Sequence, residues 1–279
     1  MKKILLVLLP LAVGLGGCQK TSEGGTTTGN PLINFKIAGS SSPATVAFHR
    51  PSFVSPWLYQ IMKPAMALPP PSLVDSNGVT INLSEAWMVV RSVEFKPSET
   101  PDAGEVDGDS VSYEGPYVVN ILTPTPESLG QVRVPTATLR RVKMKLHNAD
   151  TLPNTAPPAL LNKSIYWKGS ISGHDFTISS REGYEFELAG PNGVTLSDNS
   201  NVLMSIQVAN LFKKMNFSGI TTTTDIDENN RFPTVNPCPS IDASAADLYT
   251  CFTKGLKSES NLGRDDNGDD ELSGDDSVK

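Results

Sequence analysis

Seven acids and two bases lie between Arg264 and Lys279, and their spacing suggests an ion. With Asp265 as position one of a calcium loop, Asn267 and Asp269 fall at three and five, and Glu271 at seven, where a carbonyl suffices. Leu272 takes the usual apolar position, Ser273 follows, and Asp276 stands at twelve. Calcium takes about six to eight oxygens, and this spacing can wrap them round one ion. The pattern resembles an EF-hand loop but departs from it. Asp270 stands where glycine makes the sharp turn, Asp276 reaches less far than the usual Glu, and the chain leaves no room for an exiting helix. A solvated acidic tail is the preferred reading, with Ca2+ as the candidate cofactor.

Other constellations carry less. Glu105, Asp107 and Asp109 alternate in a way that can chelate a cation, although a hydrophilic loop tip explains them more simply. Arg141, Lys143, Lys145 and His147 share one face of an expected strand, roughly 7 Å apart. They form a candidate binding row for a polyanion such as lipopolysaccharide or an acidic glycan. The plainer expectation is a solvent face partly neutralised by Glu185 and Glu187. Nucleophilic catalysis finds no support: there is no G-x-S-x-G motif, and His174 and Asp175 would point to opposite faces of a strand. Trp57, Tyr59 and Trp87 read as packing aromatics rather than a sugar platform.

The N-terminus supplies an address. Lys2 and Lys3 precede an apolar run that ends at Leu15-Gly16-Gly17-Cys18. The run is too short to span a bilayer, and the pattern is that of a bacterial lipoprotein signal with Cys18 as the acylated residue. Acyl chains contribute roughly 0.8 kcal/mol per buried methylene, so anchoring needs no polybasic patch. Of the three cysteines, Cys238 and Cys251 then remain, and in an exported protein they read as one disulfide. A metal site is the rival, but all three histidines lie far upstream. The net charge of −7 is concentrated in the last residues, so the body is near neutral and nucleic-acid binding is not expected.

Alternation predicts the supporting elements. Strands are expected over 32–37, 79–83, 86–95, 117–122, 139–147, 164–171, 176–179, 184–188 and 202–208. In 86–95, Trp87, Val89, Val93 and Phe95 are expected on one face. Gly190-Pro191-Asn192-Gly193 reads as a turn, and 51–71 as a proline-broken arm. A helix is expected over 240–257, capped by Ser240 or Asp242.

The segments 86–95, 114–119, 139–147 and 164–169 (AWMVVRSVEF, EGPYVV, LRRVKMKLH and SIYWKG) resemble uncharacterised bacterial surface lipoproteins that carry a β-sandwich domain of unknown function. The resemblance covers about 73–217 and implies an envelope location and an Ig-like or transthyretin-like sandwich, with no established reaction. The expected fold is therefore all-β: an antiparallel sandwich with a short C-terminal helix and an acidic tail. The expected divisions are a signal and lipidated cysteine over 1–18, a flexible tether over 19–31 and a strand with its proline-rich arm over 32–71. The sandwich follows over 72–220, then a helical extension over 221–262 and the tail over 263–279. The expected role is non-enzymatic, structural or binding, calcium-stabilised in one version. Its partners would be the membrane through the lipid and an envelope protein or glycan. The alternative is an enzyme, or an enzyme accessory, acting on envelope polysaccharide or peptidoglycan. Gln19, rather than Asp, after the lipidated cysteine points to the outer membrane of a two-membrane cell.

Overall fold

Phe35 meets Phe95 edge-on, with ring centroids 5.2 Å apart, and Tyr113 closes the nest at 5.9 Å from Phe95. These rings come from two sheets packed face to face. A computed structural model describes residues 30–40, 73–96, 111–123, 125–134, 138–266, 272 and 277–278. Cys18, the tether up to residue 29, Trp57, Tyr59 and the rest of the proline-rich stretch lie outside the described residues, as do Glu105, Asp107 and Asp109.

The strands, in chain order, are β1 (Leu32–Ser40), β2 (Leu73–Val74), β3 (Thr80–Lys96), β4 (Val111–Asn120), β5 (Glu127–Arg133), β6 (Thr138–Leu146) and β7 (Ile165–Ile171). They continue as β8 (His174–Ser180), β9 (Tyr184–Thr195), β10 (Ser200–Gln207), β11 (Thr224–Ile226), β12 (Ser260–Asp265) and β13 (Ser277–Val278). Among the described residues two α-helices accompany them, α1 (Val208–Lys213) and α2 (Leu248–Ser258). The first sheet has the order β13-β12-β10-β1-β5. The second runs β11-β8-β7-β3-β6-β9, with β2 and β4 also on β3.

The fold is mostly β, as the alternation predicts, but it is not wholly antiparallel. β1 and β10 pair parallel, as do β8 and β11. Parallel neighbours need a long connection between them. Here the connection from β1 to β10 contains most of the second sheet. β1, expected beside an arm, lies between β10 and β5, and β12, expected in an extension and tail, pairs with β10. The core therefore draws on all three segments.

The expected strands 79–83 and 86–95 are one long strand, β3, interrupted twice in register. The second interruption falls at Arg91. There β6 steps from Leu146 to Lys145 while β3 steps from Val90 to Ser92. On the other edge Arg91 stands opposite Gly115 and Pro116, which are passed over between Glu114 and Tyr117. An extra residue reverses side-chain parity. Ala86, Met88 and Val90 therefore face the main core before the bulge, and Val93 and Phe95 after it. Trp87 and Val89 turn to the opposite face, where they pack with Ala149, Leu152, Ala156, Leu160 and Tyr166. The expected grouping of Trp87 and Val89 with Val93 and Phe95 fails because alternation cannot see a bulge. Trp87 is nonetheless a packing residue.

Three other local readings are corrected. β9 runs through Gly190-Pro191-Asn192-Gly193 without reversing, because these residues form an excursion opposite Arg140, between the Arg141–Ala189 and Leu139–Val194 pairs. β5 has no alternation signal in its sequence and adds a strand to those expected. The helix begins at Leu248, not near Ser240. Asp242 accepts hydrogen bonds from both the backbone N–H and the hydroxyl of Ser244, and this turn competes with helix formation. Asp247 is the actual cap, accepting from Thr250 N–H at 2.7 Å.

A second aromatic nest fills the other end of the core. Trp167 lies 4.9 Å from Phe252 and 5.9 Å from Phe212, and Phe176 lies 5.3 Å from Phe217. Gly255 on α2 allows the helix to approach α1, since a methyl there would stand 2.8 Å from Ile241 Cδ1 and closer still to Leu211. Phe35 joins both sheets at zero exposure. Phe35→Ala is expected to cost about 3–5 kcal/mol in denaturant unfolding. A loss below about 1 kcal/mol would show that the two sheets do not depend on this contact.

Candidate functional site

The cationic row is the first feature to place. Val142, Met144 and Leu146 are buried on one face of β6, as expected. Their alternates do not form a free positive stripe. Arg141 is only 2% exposed and lies 3.7 Å from Glu187. Lys143 pairs with Glu185 at 2.8 Å, and Lys145 with Glu94 at 2.6 Å. The glutamates come from β9 and β3, the two strands flanking β6. Each ion pair is diagonal, because in register Lys143 faces both Glu94 and Glu187, and Lys145 faces Glu185. The Glu185 hydrogen bond is the main reason the Lys143 ammonium holds its proton above the usual lysine range. His147 lies just beyond the strand, exposed, with Nδ1 3.2 Å from the Asn148 carbonyl and its backbone N–H donating to Val89. A neutralised solvent face describes Lys143 and Lys145, whereas Arg141 is buried beside its carboxylate.

The calcium candidate is split. Asp265 closes β12 opposite Asn201 and is 7% exposed. Asn267, Asp269, Glu271 and Asp276 lie outside the described residues, and Leu272 is half-buried. An EF-hand loop is entered from a helix, whereas here a strand follows α2 and leads into the segment. Ser277 and Val278 pair with Arg264 and Gly263.

Cys238 and Cys251 are bonded, with Cα atoms 5.3 Å apart. The bond ties the segment before α2 to its first turns. That segment also supplies the carbonyls of Arg231 and Phe232, which accept from Tyr249 and Leu248 N–H. The first amides of the helix are thereby satisfied.

This strap positions a cluster that the sequence did not suggest. Ser180 ends β8, Tyr184 begins β9, Glu182 lies between them, and Tyr249 sits in the first turn of α2. Ser180 Oγ lies 2.7 Å from the Tyr184 hydroxyl and 2.8 Å from that of Tyr249. The two phenol oxygens touch each other. Glu182 Oε2 accepts from Tyr249 at 2.9 Å and lies 3.4 Å from Tyr184. Ser180 and Tyr249 are each 2% exposed, Tyr184 is half-buried and Glu182 is exposed. Burial pushes both phenols above their ordinary range. Ser164 fixes the hairpin, donating from its hydroxyl to the Glu182 carbonyl at 2.6 Å and from its N–H to Ser180 at 2.8 Å. The Arg231 guanidinium lies over the Tyr249 ring, 5.3 Å from its centroid. Ser180 and Tyr249 are 69 residues apart and meet only through the fold.

No family model matches the chain, and no curated protein or solved structure matches it either.

Two outcomes follow from these placements. Wild-type protein is expected to pass through a heparin column at physiological ionic strength, and a Glu94→Gln, Glu185→Gln, Glu187→Gln variant to be retained. Retention of the wild type would show the cationic row to be available after all. Reduction of the disulfide, or Cys238→Ser with Cys251→Ser, is expected to cost about 3 kcal/mol from the chain entropy of its short loop. An unchanged urea midpoint would place the stabilising effect of the strap elsewhere.

Proposed function

We propose that this chain is a lipid-anchored protein of the bacterial cell envelope with a non-enzymatic, structural or binding role. The observation that carries the reading is the Leu15-Gly16-Gly17-Cys18 pattern after a short apolar run. The stretch between Cys18 and Leu32 is Gly- and Thr-rich. It leads directly into β1, whose two edges are both paired, one with β10 and one with β5. A pull along the tether would therefore load two ladders of backbone hydrogen bonds in shear instead of peeling one edge strand away. A domain hung from a membrane gains mechanical security from that arrangement. The position of Gln19 favours the outer membrane in a two-membrane cell.

Expressed in a bacterial host, the wild-type chain is expected to take up labelled palmitate and to fractionate with membranes. Cys18→Ser is expected to accumulate as an unlabelled precursor. Mass spectrometry of the wild type showing cleavage at any site other than the Gly17–Cys18 bond would overturn the proposal.

A further inference from the structure

The outer face of the first sheet is covered, although neither apolar cluster reaches it. Val202, Met204 and Ile206 of β10 point into the main core. Their alternates Asn201, Leu203, Ser205 and Gln207 therefore face away from it. Register puts Lys36 of β1 and Gly263 of β12 on either side of Leu203. The Asn34 amide donates to the Asn201 side chain at 3.2 Å on the same face. A sheet face in water leaves such side chains accessible. Yet Leu203 is 1% exposed and Ser205 3%, and Gln207 and Gly263 are buried as well. Gln207 Nε2 donates to Ser205 Oγ at 3.1 Å, so these polar groups satisfy each other beneath a cover. Among the described residues, Leu203 is the single buried apolar side chain that belongs to neither cluster. Its burial exists within one chain, so the cover comes from the chain itself and not from a second copy.

We propose that this face, centred on Leu203, is the docking surface for the chain's own proline-rich segment 41–72. The inference goes beyond the envelope role and does not depend on the lipid anchor. The segment leaves and returns at the right place. Ser40 ends β1 in register with Gln207, at the margin of the covered patch, and Gln207 leads into α1. The chain re-enters at Leu73, and the nearby Ser76 N–H donates to the Met215 carbonyl just past α1. Both ends therefore flank the same short helix. Length suffices too. Three strands make a patch roughly 10 Å across, and each extended residue covers roughly 3.3 Å, so segment 41–72 can cross the face and come back. Composition selects it over the other stretches outside the described residues. Phe48, Phe53, Trp57, Leu58, Tyr59 and Ile61 gain from leaving water, and the segment has no Asp or Glu. By contrast, 97–110 and 267–276 are acidic, and 19–29 is Gly- and Thr-rich. The prolines suit a face rather than an edge. They cannot extend a hydrogen-bond ladder, and the backbone groups of β10 are already engaged by β1 and β12. Side chains alone make such a contact.

The test is photo-cross-linking of the purified full chain, with p-benzoylphenylalanine placed at Phe48, Phe53, Trp57 and Tyr59 in turn. At least one of these proteins should cross-link, within a single chain, to the peptide that carries Leu203 or to the one that carries Gly263. Cross-links to other parts of the molecule alone, or only between two copies, overturn the proposal, and so does their absence at all four positions. Chymotrypsin gives an independent reading. The native chain should be cut after the same aromatic residues at least about tenfold more slowly than a synthetic peptide of residues 41–72. Leu203→Asp, which sets a charge beneath the segment, should raise the rate in the full chain about tenfold, with near-ultraviolet circular dichroism checking that the core holds. Cleavage of the wild type as fast as the free peptide overturns the proposal, as does an unchanged rate in a folded Leu203→Asp variant. The cross-linking needs no change in either sheet, so it decides the matter even where that variant fails to fold.

Discussion

A single strand has to serve two wings of the larger sheet, and most of the architecture follows from how β3 does so. At Val89 the backbone N–H donates to Ser164 and the carbonyl accepts from His147. In an extended strand these two groups point the same way. The start of β7 and the end of β6 therefore meet along one edge of β3, while β4 runs along the other. Each backbone polar group on this strand needs a partner once water is excluded. Two short strands end to end supply what one long partner would otherwise supply. The Arg91 bulge then re-aims the second half so that both halves place apolar side chains in the same core.

The seam between the wings has consequences of its own. β8 continues the β7 wing and β9 the β6 wing, so the residues from Arg181 to Gly183 bridge the join. Ser164, at the start of β7, anchors that bridge. Below it lies α2, held by its Asp247 cap, the Arg231 and Phe232 carbonyls and the disulfide. The oxygen cluster is therefore not an accident of surface side chains. It stands where two half-sheets and a helix terminus meet, and each donor is fixed by a different element.

Charge is arranged differently over the rest of the second sheet. Along β6, carboxylates on the flanking strands meet the cations in diagonal pairs. The partly exposed pairs of Lys143 and Lys145 contribute little stability each. Their larger effect is on the outward field, which pairing flattens. That suits the proposed attachment by acyl chains rather than by charge.

Several features were determined by the sequence alone. Alternation located β1, β6, β7 and β10 to within a few residues, because one buried face leaves a period of two in the chain. The number of cysteines, with export expected from the N-terminal pattern, pointed to the Cys238–Cys251 bond. The same sequence could not reveal the parity reversal at Arg91, since a bulge changes the period without a local residue signal. It missed β5, whose Glu127–Arg133 run is mostly polar at a sheet edge, and it set the helix start several residues early by overlooking the Asp242 turn. It also read Asp265 as the head of an acidic loop, where the structure has it closing β12. Only the tertiary structure brought Ser180, Glu182 and Tyr184 to Tyr249. Those contacts cross from one wing to a distant helix, and long-range proximity of this kind depends on how the sheets close rather than on any spacing along the chain.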